Sequence, residues 1–391
     1  MKLYEMANFI RKLVNIGIGI VIVIAIFIYV SPIISDFASQ AQKATQEEVI
    51  PYYINPINFT QDPSLKYNLS NTTILYIGNP DSQWKNLENK QMKLYEYNFS
   101  KLEDIDYLPT AKRIALESGY DDLSLVDNGE ISNKFVWAKN GLQFEINKVN
   151  KKIIQFPQGS EVTFLKSYVT GGNFISNEIP SNFSLNFLRN SGRFSKEELD
   201  SLVIEPTFLR FESNYLIESN NISSELCYLK IYRSIDDKKV VSKRFDFPQI
   251  YFYVASLRPE VEASFKNYRF PLIKLNKIDY KLSYNEQLFD LNPITNVVET
   301  QLKAKNFVIS EIKINNSEFR FIPNIETTNI KTISIESVEV AYYDNFDETS
   351  LNTNIQPIYV FKGSIELATG EKGRITAYTP ALDPKYYSKA E

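Results

Sequence analysis

The longest apolar run of the chain, Leu13–Ser35 (LVNIGIGIVIVIAIFIYVSPIIS), carries no charged residue and places Ile, Val or Phe on every side of a helix. At about 1.5 Å rise per residue it would reach roughly 34 Å, slightly more than a bilayer's hydrocarbon core. The pattern predicts one membrane-spanning helix, because a helix packed on a globular core keeps a polar face. A cleaved signal peptide is the competing reading, but its only cleavage pattern, Ser39-Gln40-Ala41, lies several residues past the run. Lys2, Arg11 and Lys12 precede the run, whereas Lys43 follows it beside Asp36, Glu47 and Glu48. This bias places residues 1–12 in the cytoplasm and the chain beyond the anchor outside. Residues 36–64 read as a stalk, polar as far as Val49 and then interrupted by Pro51, Pro56 and Pro63.

From there on the pattern is one of short alternating runs. Thr73–Ile77 and Met92–Tyr97 read as strands. A helix opens near Pro109, carries an apolar stripe of Ala111, Ile114 and Ala115, and stops at Gly119. Strands follow at Ser124–Asp127, Lys134–Ala138, Leu142–Ile146 and Lys152–Phe156, with Asn140-Gly141 as a hairpin turn. Trp137 reads as the core aromatic of this meander rather than a ligand-stacking residue. The order then repeats. A helix capped by Ser181 carries Phe183, Phe187 and Leu188, and Ser195-Lys-Glu-Glu198 has the spacing of a capping box. Strands are expected at Thr207–Phe211, Leu226–Ile235, Val240–Phe245 and Ile250–Ala255. A third helix follows Asn292-Pro293, with Ile294, Val297, Val298 and Leu302 on one face. Phe307–Ile314, Thr332–Tyr343, Ile358–Leu367 and Arg374–Thr379 complete the series as strands. The expected fold class is α+β: an N-terminal transmembrane helix at 13–35, then three helix-plus-antiparallel-sheet modules at 65–170, 171–285 and 286–391.

Composition narrows the chemistry. The 391 residues carry a net charge of -4, so no basic field is present to hold nucleic acid. No histidine occurs, which excludes Ser-His-Asp triads, Cys-His dyads, His-ligated zinc and HExxH helices. The single cysteine, Cys227, cannot form an internal disulfide and alternates with Leu229 and Ile231, as a buried strand cysteine does. Neither GxGxxG nor GxxxxGK[ST] is present. Asp344, Asp347 and Glu348 lack the spacing of a calcium loop and read as a solvated acidic turn. No catalytic residue, cofactor or metal ligand is therefore assigned.

Gln356-Pro-Ile-Tyr-Val-Phe-Lys-Gly363 and Gly373-Arg-Ile-Thr-Ala-Tyr-Thr-Pro-Ala381, preceded by Ile335–Tyr343, resemble the closing strands of YycH/YycI-like and PepSY-like extracytoplasmic proteins. Ala111–Gly119 and the following Phe-Val-Trp strand resemble a PepSY-type helix and strand. The resemblance implies an anchored chain of small helix-plus-sheet modules outside the cell that regulates a membrane sensor kinase or a protease.

The expectation that follows is a non-enzymatic, single-pass protein of the cell membrane whose extracytoplasmic part binds an envelope or membrane protein partner. Tyr359, Val360, Phe361, Arg374 and Tyr378 of the Gln356–Ala381 hairpin are the expected binding residues, reached by strand addition to a free edge. The alternatives are a receptor for an envelope peptide or glycan and a carboxylate-dependent hydrolase.

Overall fold

The computed structural model describes residues 65–77, 90–98, 107–158 except 131, 173–212 except 175, 215–220, 224–245, 248–256, 268–283, 286–314, 328–344 and 354–387. Isolated positions lie between these stretches, and before Ile54 only Met6, Arg11 and Val14 are described. The architecture below belongs to the compact unit Ile54–Glu391.

In chain order this unit opens with the short strands β1 (Tyr67–Asn68), β2 (Thr73–Tyr76), β3 (Gln91–Met92) and β4 (Tyr95–Asn98). Helix α1 (Leu108–Glu117) buries Ala111, Ile114 and Ala115 and ends at Gly119, whose φ of 93° is a left-handed stop that glycine takes without strain. A meander follows: β5 (Leu125–Asn128), β6 (Lys134–Lys139), β7 (Leu142–Asn147) and β8 (Ile153–Pro157). Asn140 and Gly141 join β6 to β7 with φ of 53° and 75°, the left-handed pair that a two-residue hairpin turn requires. Helices α2 (Glu178–Asn190) and α3 (Lys196–Asp200) lead into β9 (Val203–Glu212), β10 (Tyr215–Glu218) and β11 (Leu226–Tyr232). After β12 (Ser234–Ile235) and β13 (Lys238–Ser242) come β14 (Ile250–Ser256), β15 (Tyr268–Leu275), β16 (Asp279–Leu282) and β17 (Phe289–Asp290). Helix α4 (Ile294–Val297), widened into a π turn over Val298–Leu302, precedes β18 (Val308–Ile314), β19 (Thr328–Asp344), β20 (Asn354–Leu367) and β21 (Lys372–Pro380).

Two large sheets result. One is wholly antiparallel, in the order β10-β9-β11-β14-β15-β8-β7-β6-β5. Helices α1 and α2 cover one of its faces, where Trp137, Phe144 and Ile153 of the meander share a single core with Cys227, Phe252 and Ile273. The other sheet runs β12-β13-β19-β20-β21-β18, with β1 and β2 parallel to β19, β4 beside β20, and β16 beside β4. The chain passes from the first sheet to the second at Arg233, between β11 and β12, and again at Asn276–Ile278, between β15 and β16; it runs the other way between β4 and β5 and between β13 and β14.

This overturns the α+β fold class with repeated helix-plus-sheet modules. The protein is mostly β, and strands from the first and second expected rounds merge into one sheet over one core. The local pattern misled because periodicity reports which residues face a core, not which distant strand pairs with which. The spanning helix expected at Leu13–Ser35 falls outside the described residues apart from Val14. Among the described residues no helix is long and apolar enough to cross a membrane. What stands against the single-pass, signal-anchored expectation is this finding about the described residues, none of which forms a spanning helix.

Candidate interaction site

The expected binding residues lie in the interior of the second sheet. Strand β20 pairs along its length with β19 on one side and β21 on the other, and β21 is in turn covered by β18. The hairpin therefore has no free edge for strand addition. Tyr359, Val360, Phe361 and Tyr378 are fully buried, and Arg374 alone is exposed. Tyr359 donates its hydroxyl to the Asn292 carbonyl at 2.8 Å, and burial raises its pKa. Tyr378 packs against Tyr343 and Phe59 at ring distances of 5.9 and 6.5 Å. These side chains hold the sheet together, and on Val360 and Tyr378 the core beside β13 is built.

The first sheet ends differently. On the segment from α1 to β5, three large apolar side chains project outward: Leu116 is 65% exposed, Leu123 98% and Val126 66%. The turn that displays Leu123 is locked from both sides. Asp121 and Ser124 form a reciprocal capping box around Asp122–Ser124, with the Ser124 N–H donating to Asp121 Oδ1 and the Asp121 N–H to Ser124 Oγ, each at 3.1 Å. Lys139 reaches from β6 to bond Asp121 at 2.9 Å and the Gly119 carbonyl at 3.2 Å. Its ammonium, with the Ser124 hydroxyl and N–H, holds the Asp121 carboxyl below its ordinary range. Lys112 of α1 meets Asp122 at 3.2 Å, tying helix to turn. On the inner side Tyr120 is buried and stacks on Phe144 at 5.3 Å. Leu123 thus points into solvent from a turn whose neighbours on both sides are fixed.

Strand β5 is the last strand of its sheet, pairing with β6 on one side only among the described residues. The ladder skips a residue between Leu125 and Asp127, leaving Val126 on a bulge. A bulged edge resists the addition of another strand, so what this edge offers is its side chains rather than its backbone. Sequence reading placed the helix stripe on Ala111, Ile114 and Ala115 but passed over Leu116. An apolar residue off the stripe was the available signal. Leu123 had no such signal, because its exposure depends on the tertiary lock around it.

Asp344 also departs from expectation. It is not a solvated acid: it is 3% exposed and accepts from the Tyr97 and Tyr280 hydroxyls at 2.7 Å each. Asp347 and Glu348 lie outside the described residues. Together these features define a two-sheet, mostly β scaffold with a rigid apolar display at one sheet end. Comparison of the chain with family models, with curated proteins and with solved structures finds no match in any of the three.

Proposed function

We propose that this protein acts by binding a protein partner, with Leu116, Leu123 and Val126 as the docking residues. The observation that carries the reading is the 98% exposure of Leu123 on a turn fixed by reciprocal hydrogen bonds. A leucine side chain moved from water into an interface contributes about 1.5–3 kcal/mol, and a pre-ordered turn loses little entropy when it is covered. The ion pairs Lys112–Asp122 and Lys139–Asp121 make a charge-balanced rim, which suits a partner that presents an apolar pocket without strong charge. The absence of histidine from the sequence favours binding over the commonest forms of acid–base catalysis. A regulatory role for this binding accords with the resemblance of the closing strands to YycI-like and PepSY-like proteins.

The test is a photo-crosslinking residue placed at Leu123, and separately at the exposed Lys303, in the full chain within its native cells. A discrete adduct is expected from position 123 alone, and the companion change Val126→Asp should abolish it. Equal adducts from both positions would overturn the reading. So would an adduct of twice the chain's own mass, which would make this surface a contact between copies.

A further inference from the structure

The face of the first sheet turned away from α1 and α2 carries a cluster that the interaction surface does not use. Strands β14, β15 and β8 lie side by side, with Tyr251 opposite Lys274 and Lys274 opposite Ile154. Opposed residues share a face and side chains two apart return to it, so Lys152 and Asn276 stand on this face as well. Ile273 and Leu275 point the other way into the helix-covered core. Lys274 lies 5.5 Å from the centre of the Tyr251 ring.

Nearby lysines on the strands around this cluster have carboxylate partners. Lys230 and Lys239 share Glu205 at 3.3 and 2.5 Å, and Lys362 takes Glu339 at 2.8 Å. Among the described residues Lys274 and Lys152 have none. Asn276 beneath them is 8% exposed and donates to the Gln249 carbonyl oxygen Oε1 at 2.9 Å, while its own Oδ1 has no hydrogen-bond partner. Two cations on neighbouring strands, with no carboxylate in ion-pair contact among the described residues and only Asp344 acting on Lys274 from farther off, are costly unless an anion completes them.

We propose that Lys274 and Lys152 form a subsite for a small organic anion, whose phosphate or carboxylate lies between the two ammonium groups and whose body rests along the Tyr251 ring. Lysines rather than arginines suit a compact oxyanion met as a point charge. Burial, and then the like charge of Lys152, push the Lys274 amine down to about 8, with Asp344 opposing the shift. A bound anion relieves both causes.

Inorganic phosphate and acetate, titrated separately into the full chain by calorimetry at pH 8.5, are the probes. At least one should bind saturably with net uptake of protons, read from the dependence on buffer ionisation enthalpy, because the anion returns Lys274 to its charged form. Phosphate binding alone assigns a phosphorylated ligand, and acetate binding alone a carboxylate. Lys274→Gln should weaken binding at least tenfold and remove the proton uptake, and Lys303→Gln should change neither. Should Lys274→Gln lose its fold by circular dichroism, Lys152→Gln serves in its place, with weaker binding and less proton uptake expected. No saturable binding of either probe, or binding without proton uptake that survives both substitutions, overturns the proposal.

Discussion

Lys277 places its ammonium 2.9 Å from the Glu198 carboxylate with only 7% of its side chain exposed, at the point where the chain leaves one sheet for the other. Glu198 does three things there. It accepts from the Ser195 N–H as the closing half of the α3 capping box, and from Arg233 at 3.1 Å on the other crossover. Lys277 in turn donates to the Arg193 carbonyl, and Arg193 donates to the Lys277 carbonyl at 2.7 Å. One carboxylate therefore caps a helix and joins the two passages that run from the first sheet to the second. Breaking a fully buried ion pair costs roughly 3–5 kcal/mol; with Glu198 about one third open to water, Glu198→Ala should cost about 2–3 kcal/mol. Lys277→Met should cost less, since the end of the side chain already lies over the Phe194 ring, at 4.9 Å from its centre, and Arg233 still serves Glu198. Urea denaturation measures both, and equal costs would show that the pair does not act through Glu198.

The Asp344 cluster sets an alkaline limit. Tyr97 and Tyr280 have pKa values raised, first by burial and then by the Asp344 carboxylate they bond. Tyr76, raised by burial, stands at about 12. In the unfolded chain these phenols ionise near the ordinary value of 10.0, so above that pH the folded state binds more protons than the unfolded one. Stability is therefore full below about pH 10 and falls as pH rises toward the folded values. In a pH titration, phenolate absorbance from these tyrosines should appear together with loss of near-ultraviolet circular dichroism. Full ionisation of all tyrosines near pH 10 in a still-folded protein would contradict the burial described. Asp344→Ala leaves two buried hydroxyls without their acceptor and should cost about 2–4 kcal/mol.

How much of this was legible beforehand divides along a physical line. The Asn140-Gly141 hairpin, the Trp137 core position, the α1 stripe and the Ser195–Glu198 capping box all depend on residues close in sequence, and the structure contains each of them. Helix α2 begins at Glu178, ahead of the expected cap at Ser181, because its first turn carries Ile179 and Pro180 into the core. Strand β15 left no alternating signal: it is buried on both faces, and Pro271 falls where the ladder with β14 shifts register. The parallel pairing of β1, β2 and β13 with β19 joins residues far apart in the chain, which no local period can report. The hairpin was recognised as a hairpin, but its position within the sheet was not, because an edge is defined by the absence of a neighbour that sequence does not reveal. The docking residues and the Lys274 cluster stayed hidden for the same reason.

Cys227 should report on global unfolding. It is fully buried on β11 in the core beneath α1 and α2, and burial raises its thiol pKa above the ordinary value, disfavouring the reactive thiolate. In native buffer the thiol should react with a disulfide reagent only as fast as the protein opens, and a destabilising change such as Trp137→Ala, expected to cost about 3–5 kcal/mol, should accelerate it in proportion. Rapid labelling of the folded wild-type chain would show that β11 is not in the core described.

Gly363 tests the interior position of the hairpin most directly. It sits on β20 opposite Ile335 of β19 and Ile375 of β21, beside the register shift between Ile335 and Ser337. A Cβ built there would run into the oxygen and carbon of the Ser334 backbone carbonyl, with the Ile335 Cα tight against it at 3.0 Å. Backbone on a paired strand cannot swing aside as a flexible side chain can, so Gly363→Ala must push β19 and β20 apart. The expected loss is about 3 kcal/mol, at the upper end of overpacking changes. Gly370 supplies the contrast: its φ is 89° but nothing lies within 4 Å of an added Cβ, so Gly370→Ala should cost only about 1 kcal/mol from backbone strain. A chemical denaturation series on the two variants reads the difference. If Gly363→Ala is as mild as Gly370→Ala, then β19 does not press on β20 at this point, and the hairpin is nearer a sheet edge than the structure places it.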